Sequence, residues 1–171
     1  GECDLILAME PLEALRYVEY LRPTGRIVTS AAPLVNITNY PPIEGVLDRV
    51  AACCDHLIVD ADRLARAAGS GLAGNSVLLG AASDDLGLSA EELEEVLAEM
   101  FARKGARVVE SNRRAFRLGR AAATAYAGAL QHGASTRSAR RWVASLTADQ
   151  LLEPVSGGSA TPSEWGVTDT L

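Results

Sequence analysis

Aromatic residues make up only 5% of these 171 residues, and there are three cysteines. No apolar run approaches the ~20 residues that a membrane span needs, and no signal-peptide pattern is present in these residues. Few aromatics beside abundant Ala disfavour a β-sandwich and favour helices packed closely on a sheet. Cys3, Cys53 and Cys54 lack metal-ligand spacing. The adjacent pair closes an apolar helical face, so buried free thiols are expected, suited to a reducing cytoplasm. Lys is absent from the first hundred residues, where 6 Arg stand against 17 acidic residues; residues 101–171 carry 10 basic and 5 acidic residues. The net charge of −6 argues against a nucleic-acid partner. Its uneven distribution reads as an oriented interaction surface or as a solvated acidic face.

What is present is an alternation of short apolar runs and amphipathic helices. Leu5 to Met9 reads as a buried strand; Glu10 and Pro11 then turn into a helix carrying Leu12, Leu15, Val18 and Leu21 at helical spacing. No lead-in and no start Met precede that strand, so the beginning is read as a cut end and the domain as incomplete. Arg22-Pro23-Thr24-Gly25 is a turn signal, Ile27 to Ser30 a second strand, and Leu57 to Asp60 a third. Ser89-Ala90-Glu91-Glu92 is a capping box, and Leu93, Val96, Leu97, Met100 and Phe101 come after it on one face. A long helix runs from about Val108 to Leu130. Strands separated by helices predict parallel crossovers, hence an α/β fold: a three-layer α/β/α sandwich, Rossmann-like. Its expected core is Ile6, Leu7, Val28, Ile58, Val59, Leu78, Leu79, Val96, Leu97 and Phe116. The α/β domain is assigned to residues 1–130, with residues 131–171 helical and then a disordered tail.

The candidate site residues lie at element ends. Glu10 sits at the carboxyl end of a strand, where ligands and partners gather in open α/β sheets. Asn36, Thr38 and Tyr40 stock an irregular loop that either faces a substrate or partner or satisfies its own backbone. Asp60 reads as a helix cap, and His56 as a surface or capping residue rather than a base. Gly69-Ser70-Gly71-Leu72-Ala73-Gly74-Asn75 resembles a phosphate cradle, but it lacks a Gly-Lys-Ser/Thr ending and comes after a helix. A helix C-cap and then Asn75 as N-cap account for the same residues. Arg113, Arg117 and Arg120 form a stripe that either holds an anionic partner or is a solvated face.

Taken in order, several motifs resemble the gamma-type subunit or domain of 2-oxoacid:ferredoxin oxidoreductases, nearest to the beta-subunit form of the indolepyruvate enzymes. They are Glu10-Pro11-Leu12-Glu13-Ala14 after a strand, Leu21-Arg22-Pro23-Thr24-Gly25, Tyr40-Pro41, Asp60-Ala61, Asn75 heading the Leu79-Gly80-Ala81 helix, and Asn112 with Ala115-Phe116 and Gly119. The family's glycine-rich Gly-x-Gly-Gly-Gln-Gly turn has no match, so binding by that turn is not carried over. The resemblance implies an accessory subunit of a hetero-oligomer that oxidatively decarboxylates a 2-oxoacid to an acyl-CoA and reduces ferredoxin. It implies thiamine diphosphate, iron–sulfur clusters and coenzyme A in the complex, none bound by this chain, and a thiamine-diphosphate-bearing partner subunit. Glu10, Asn36, Thr38 and Asn75 would face partner or substrate, with no catalytic residue and no metal ligand among them. A Rossmann-like nucleotide-binding domain of another enzyme, or a structural assembly domain, would use the same elements.

Overall fold

The computed structural model describes residues 1–34 and 39–153. Its sheet has three strands in the order β1 (Cys3–Ala8), β2 (Leu21–Ser30) and β3 (Asp55–Val59), all parallel. Leu5 to Ala8 run beside Arg26 to Thr29, and Arg26 to Ser30 beside Asp55 to Val59. The three expected strands are therefore present. Arg22 to Gly25 are not a free turn: they belong to the first half of β2, where the register with β1 slips between Cys3 and Leu5. The helix after β1 is also shorter than its spacing suggests. α1 (Pro11–Arg16) gives way to a 3₁₀ turn at Val18–Tyr20, and Leu21 already starts β2.

Both faces of the sheet are covered, which is why Ile27, Val28, Thr29 and Ser30 are all buried in succession. α1 packs with α2 (Ile43–Cys53); α3 (Ala61–Ala67), α4 (Gly74–Ala81) and α6 (Ala106–Gln131) form the other group. α5 (Ala90–Phe101) starts with the expected reciprocal Ser89–Glu92 capping box and lies against α6. α7 (Thr136–Ser145) and α8 (Ala148–Leu152) fold back on α6, and α7 also reaches β3. The outer edge of β3 is thus covered. Among the described residues no strand or helix lines the outer edge of β1 in the same way.

The main core contains Val28, Ile58, Val59 and Leu78, as expected; Leu97 and Phe116 belong to a second cluster under α5. Leu7 and Val96 do not belong to the core: they are 42% and 56% exposed. Ile6 and Leu79 are half-buried. Val96 and Met100 turn outward because α5 is covered on one side only, by α6. α7 and α8 contribute Ala139, Val143 and Leu151 to the main core. The tail expected beyond Glu153 lies outside the described residues.

Part of the charge asymmetry of the sequence is met inside the molecule. Arg137 and Arg140 of α7 pair with Glu44 and Asp48 of α2, and Arg120 of α6 with Asp84. Among the described residues no helix is long and apolar enough to cross a membrane.

Candidate functional site: the carboxyl edge of the sheet

Each strand ends in a side chain that organises the next segment of backbone. After β1, Glu10 takes an extended backbone and caps α1: its Oε2 accepts from the Glu13 N–H at 2.8 Å, and Pro11 occupies the first helical position without needing a donor partner. After β2, Ser30 Oγ accepts from the Ala32 N–H at 3.2 Å. After β3, Asp60 Oδ1 accepts from the Arg63 N–H at 2.9 Å and caps α3.

Glu10 does more than cap. It is only 5% exposed, and its Oε1 accepts a short hydrogen bond from the Tyr40 hydroxyl. That bond ties the loop before α2 to the start of α1. Burial, and then the adjacent Glu10 carboxylate, raise the Tyr40 phenol above its ordinary value, so Tyr40 remains a donor. With both oxygens engaged, Glu10 is a positioning group here.

Asn75 is not the N-cap of α4. Ala73 takes that place, with no side-chain cap bond, and Asn75 stands exposed further in, within the first turn. A Cβ placed on Gly74 would lie 3.8 Å from Met9 Cε, so α4 starts beside the end of β1. Glu10, Met9 and the α4 terminus carrying Asn75 therefore share one edge. Asn36 and Thr38 lie outside the described residues.

Beside Glu10 opens a groove of about 590 Å³. Ile6, Leu7, Met9, Tyr17, Tyr20 and Leu34 line it, with Glu10 and Glu13 at its polar side. Met9 is 51% and Leu34 67% exposed. Exposed apolar side chains gathered beside the open outer edge of β1 mark an interaction surface. A continuous apolar run does not reveal this, because Leu5 to Met9 look the same whether one face or both are buried.

The remaining candidates are occupied elsewhere. Arg117 forms a two-pronged pair with Glu94, Arg113 approaches the same carboxylate at 3.7 Å, and Arg120 bonds Asp84 and Ser83. The stripe is thus paired with α5 and the turn after α4. His56 is buried rather than at the surface: Nδ1 lies 3.1 Å from the Cys54 carbonyl oxygen, Nε2 3.3 Å from Thr136 Oγ1, and the ring meets Tyr126 edge-on. The glycine-rich loop ends α3. Gly69 takes φ +95°, with Gly69 N–H to Arg66 O at 3.0 Å and Ser70 N–H to Ala65 O at 3.1 Å. This is a Schellman cap, which engages the Gly69 and Ser70 N–H groups as the helix C-cap reading expects. The residue that sequence reasoning missed is Ser76, whose hydroxyl donates to Asn112 Oδ1 at 2.6 Å in the buried α4–α6 seam.

Three cysteines cannot supply the four thiolates of an iron–sulfur cluster, and Cys3 is separated from Cys53 and Cys54 by β2. Among the described residues no three His, Cys, Asp or Glu converge as metal ligands. This donor set does not fit a four-cysteine iron–sulfur cluster.

The fold and this edge define an α/β domain with an open apolar groove beside a strand end. Residues 1–122 match the family model for pyruvate ferredoxin/flavodoxin oxidoreductase, and the chain belongs to that family. It is 37% identical over 129 residues to an indolepyruvate oxidoreductase subunit IorB of Pyrococcus horikoshii, covering 70% of this chain and 62% of the relative. The corresponding Thermococcus kodakarensis protein is 35% identical with the same coverage. The chain thus spans about 62% of the length of the curated relatives it matches. A 2-oxoglutarate:ferredoxin oxidoreductase from Magnetococcus marinus, solved with 2-oxoglutarate, coenzyme A and succinyl-CoA, shares the fold. Its TM-score is 0.55 at 23% identity, over 73% of this chain and 20% of that one.

Proposed function

We propose that this chain is an accessory subunit of an indolepyruvate-type 2-oxoacid:ferredoxin oxidoreductase in the cytoplasm, docking on a subunit that bears thiamine diphosphate. The complex would oxidatively decarboxylate a 2-oxoacid, transfer the acyl group to coenzyme A and pass electrons to ferredoxin. Family membership and the names of the relatives support the reaction class. The observation that carries the accessory role is the apolar groove beside a fully engaged Glu10. Its polar neighbours hold loops in place, and its apolar walls are open for a partner to cover. Thiamine diphosphate on the partner supplies the electron sink for decarboxylation. This chain would wall the site: Glu10 and Tyr40 hold the loop before α2, and Asn75 presents an amide at the rim.

The test is to assay the purified chain with several 2-oxoacids, coenzyme A and an electron acceptor, with and without a thiamine-diphosphate subunit. Turnover should require mixing. Met9→Glu and Leu34→Glu should abolish co-elution with that subunit while leaving the melting profile of this chain intact. Turnover by the isolated chain, or unchanged co-elution of both variants, would refute the role.

A further inference from the structure

Two sulfurs at the junction of α2 and β3 take no part in the carboxyl-edge site. Cys53 closes α2 and is exposed; Cys54 comes next in a fully extended backbone, φ −169° and ψ −179°, and is half-buried. Cys53 is therefore not the buried thiol that its place on an apolar helical face suggests. The switch from helix to extended chain brings the neighbouring side chains together, with Sγ to Sγ at 3.4 Å. A disulfide is about 2.05 Å long, so these sulfurs need to approach by about 1.4 Å, a movement within one dipeptide at the α2–β3 junction. Cys3 lies on β1, across β2 from this pair.

We propose that Cys53 and Cys54 form an oxidation site that takes a hydroperoxide as oxidant and closes to a vicinal disulfide. Cys53 is the attacking sulfur because it is open to solvent. Its sulfur gives up the thiol proton and attacks the terminal peroxide oxygen; the O–O bond breaks, Cys53 becomes a sulfenic acid, and the leaving oxygen takes that proton and departs as water or an alcohol. The Cys54 sulfur then attacks the Cys53 sulfur. The S–S bond forms, the S–O bond breaks, and the hydroxyl departs as water with the Cys54 proton. Two electrons pass from the thiol pair to the peroxide. Burial, reinforced by neighbouring Cys53, pushes the Cys54 thiol up to about 12, so Cys54 is not the sulfur that meets the peroxide, and it gives up its proton only to the departing hydroxyl. Thiol reductants reverse the reaction by exchange at the strained eight-membered ring.

Arg49 and Arg63 bracket both cysteines, so trypsin releases them together on the peptide Val50–Arg63. The full chain, freed of reductant, is exposed to hydrogen peroxide, alkylated with iodoacetamide, digested and weighed. The expected product is that peptide short of two hydrogen atoms and unalkylated, restored to two alkylated cysteines by dithiothreitol, with Cys3 alkylated throughout. In Cys54→Ser the peptide should instead gain oxygen at Cys53. A wild-type peptide that stays doubly alkylated, gains oxygen, or is linked to another peptide would overturn the proposal. The wild-type measurement stands whether or not the variant folds.

Discussion

Glu10 illustrates how little a carboxylate's position says about its role until its partners are known. One oxygen holds the Glu13 N–H and the other the Tyr40 hydroxyl, so truncation removes a cap and strands a polar group in the same step. Glu10→Ala should lower the unfolding free energy by about 1–3 kcal/mol in urea titrations. A double-mutant cycle with Tyr40→Phe should show clear coupling, and additive losses would mean that the bond is not formed in solution. In the proposed complex Glu10→Gln should change partner affinity more than the chemical step. Tyr126 is the opposite case. Its ring is fully buried and its hydroxyl has no full hydrogen bond among the described residues. Burial pushes the phenol from 10.0 up to about 12. A raised folded value means that the folded chain binds this proton more tightly than the unfolded chain, so the contribution is complete below pH 10 and is lost as pH rises toward 12. The loss is on the order of 2 kcal/mol. Tyr126→Phe should remove this alkaline component and leave neutral-pH stability equal or higher, as read from melting profiles at several pH values.

At the scale of elements, the seam between α4 and α6 is the tightest contact in the described structure. A Cβ on Gly80 would meet Phe116 O at 1.9 Å, and one on Gly119 would meet Val77 O at 1.9 Å. Each glycine admits the other helix's backbone, and the obstructing atoms are carbonyl oxygens that cannot rotate away. Gly80→Ala or Gly119→Ala should therefore force the helices apart and cost about 3 kcal/mol. Unchanged denaturation midpoints in both would show that the helices are further apart than described. Ser76 and Asn112 fix the register of the same seam. In the sequence these glycines stand out as motif positions, Gly80 in Leu79-Gly80-Ala81 and Gly119 after Phe116; their purpose depends on which two helices meet.

For the whole molecule, the last two helices hold the architecture closed. Arg63 donates to the carbonyls of Leu146 and Val143 at 2.9 and 3.0 Å, while Arg140 and Arg137 tie α7 to α2. Cutting the chain after Gln131 would uncover Tyr126, which lies beside Thr136, and remove four buried apolar side chains, Ala134, Ala139, Val143 and Leu151. Such a truncation should unfold cooperatively at lower denaturant or fail to fold. A midpoint equal to that of the full chain would show that α7 and α8 are only appended.

Sequence alone determined the strand–helix alternation, the parallel sheet, the capping box at Ser89, the cap at Asp60 and the family resemblance. These rest on local periodicity and on short-range hydrogen bonds between residues near in the chain. Only the tertiary structure decided which apolar residues are core. Leu7 and Ile58 look alike in their runs, but one lies on an unpaired edge and the other between two layers. It also decided that the Arg113, Arg117 and Arg120 stripe is paired with Glu94 and Asp84 across sequence separations no local pattern records. The same holds for Asn75, displaced from its expected cap by Ala73 because α4 starts earlier, against Met9. Burial and pairing are properties of neighbours brought together by packing, and those neighbours are set by the whole chain.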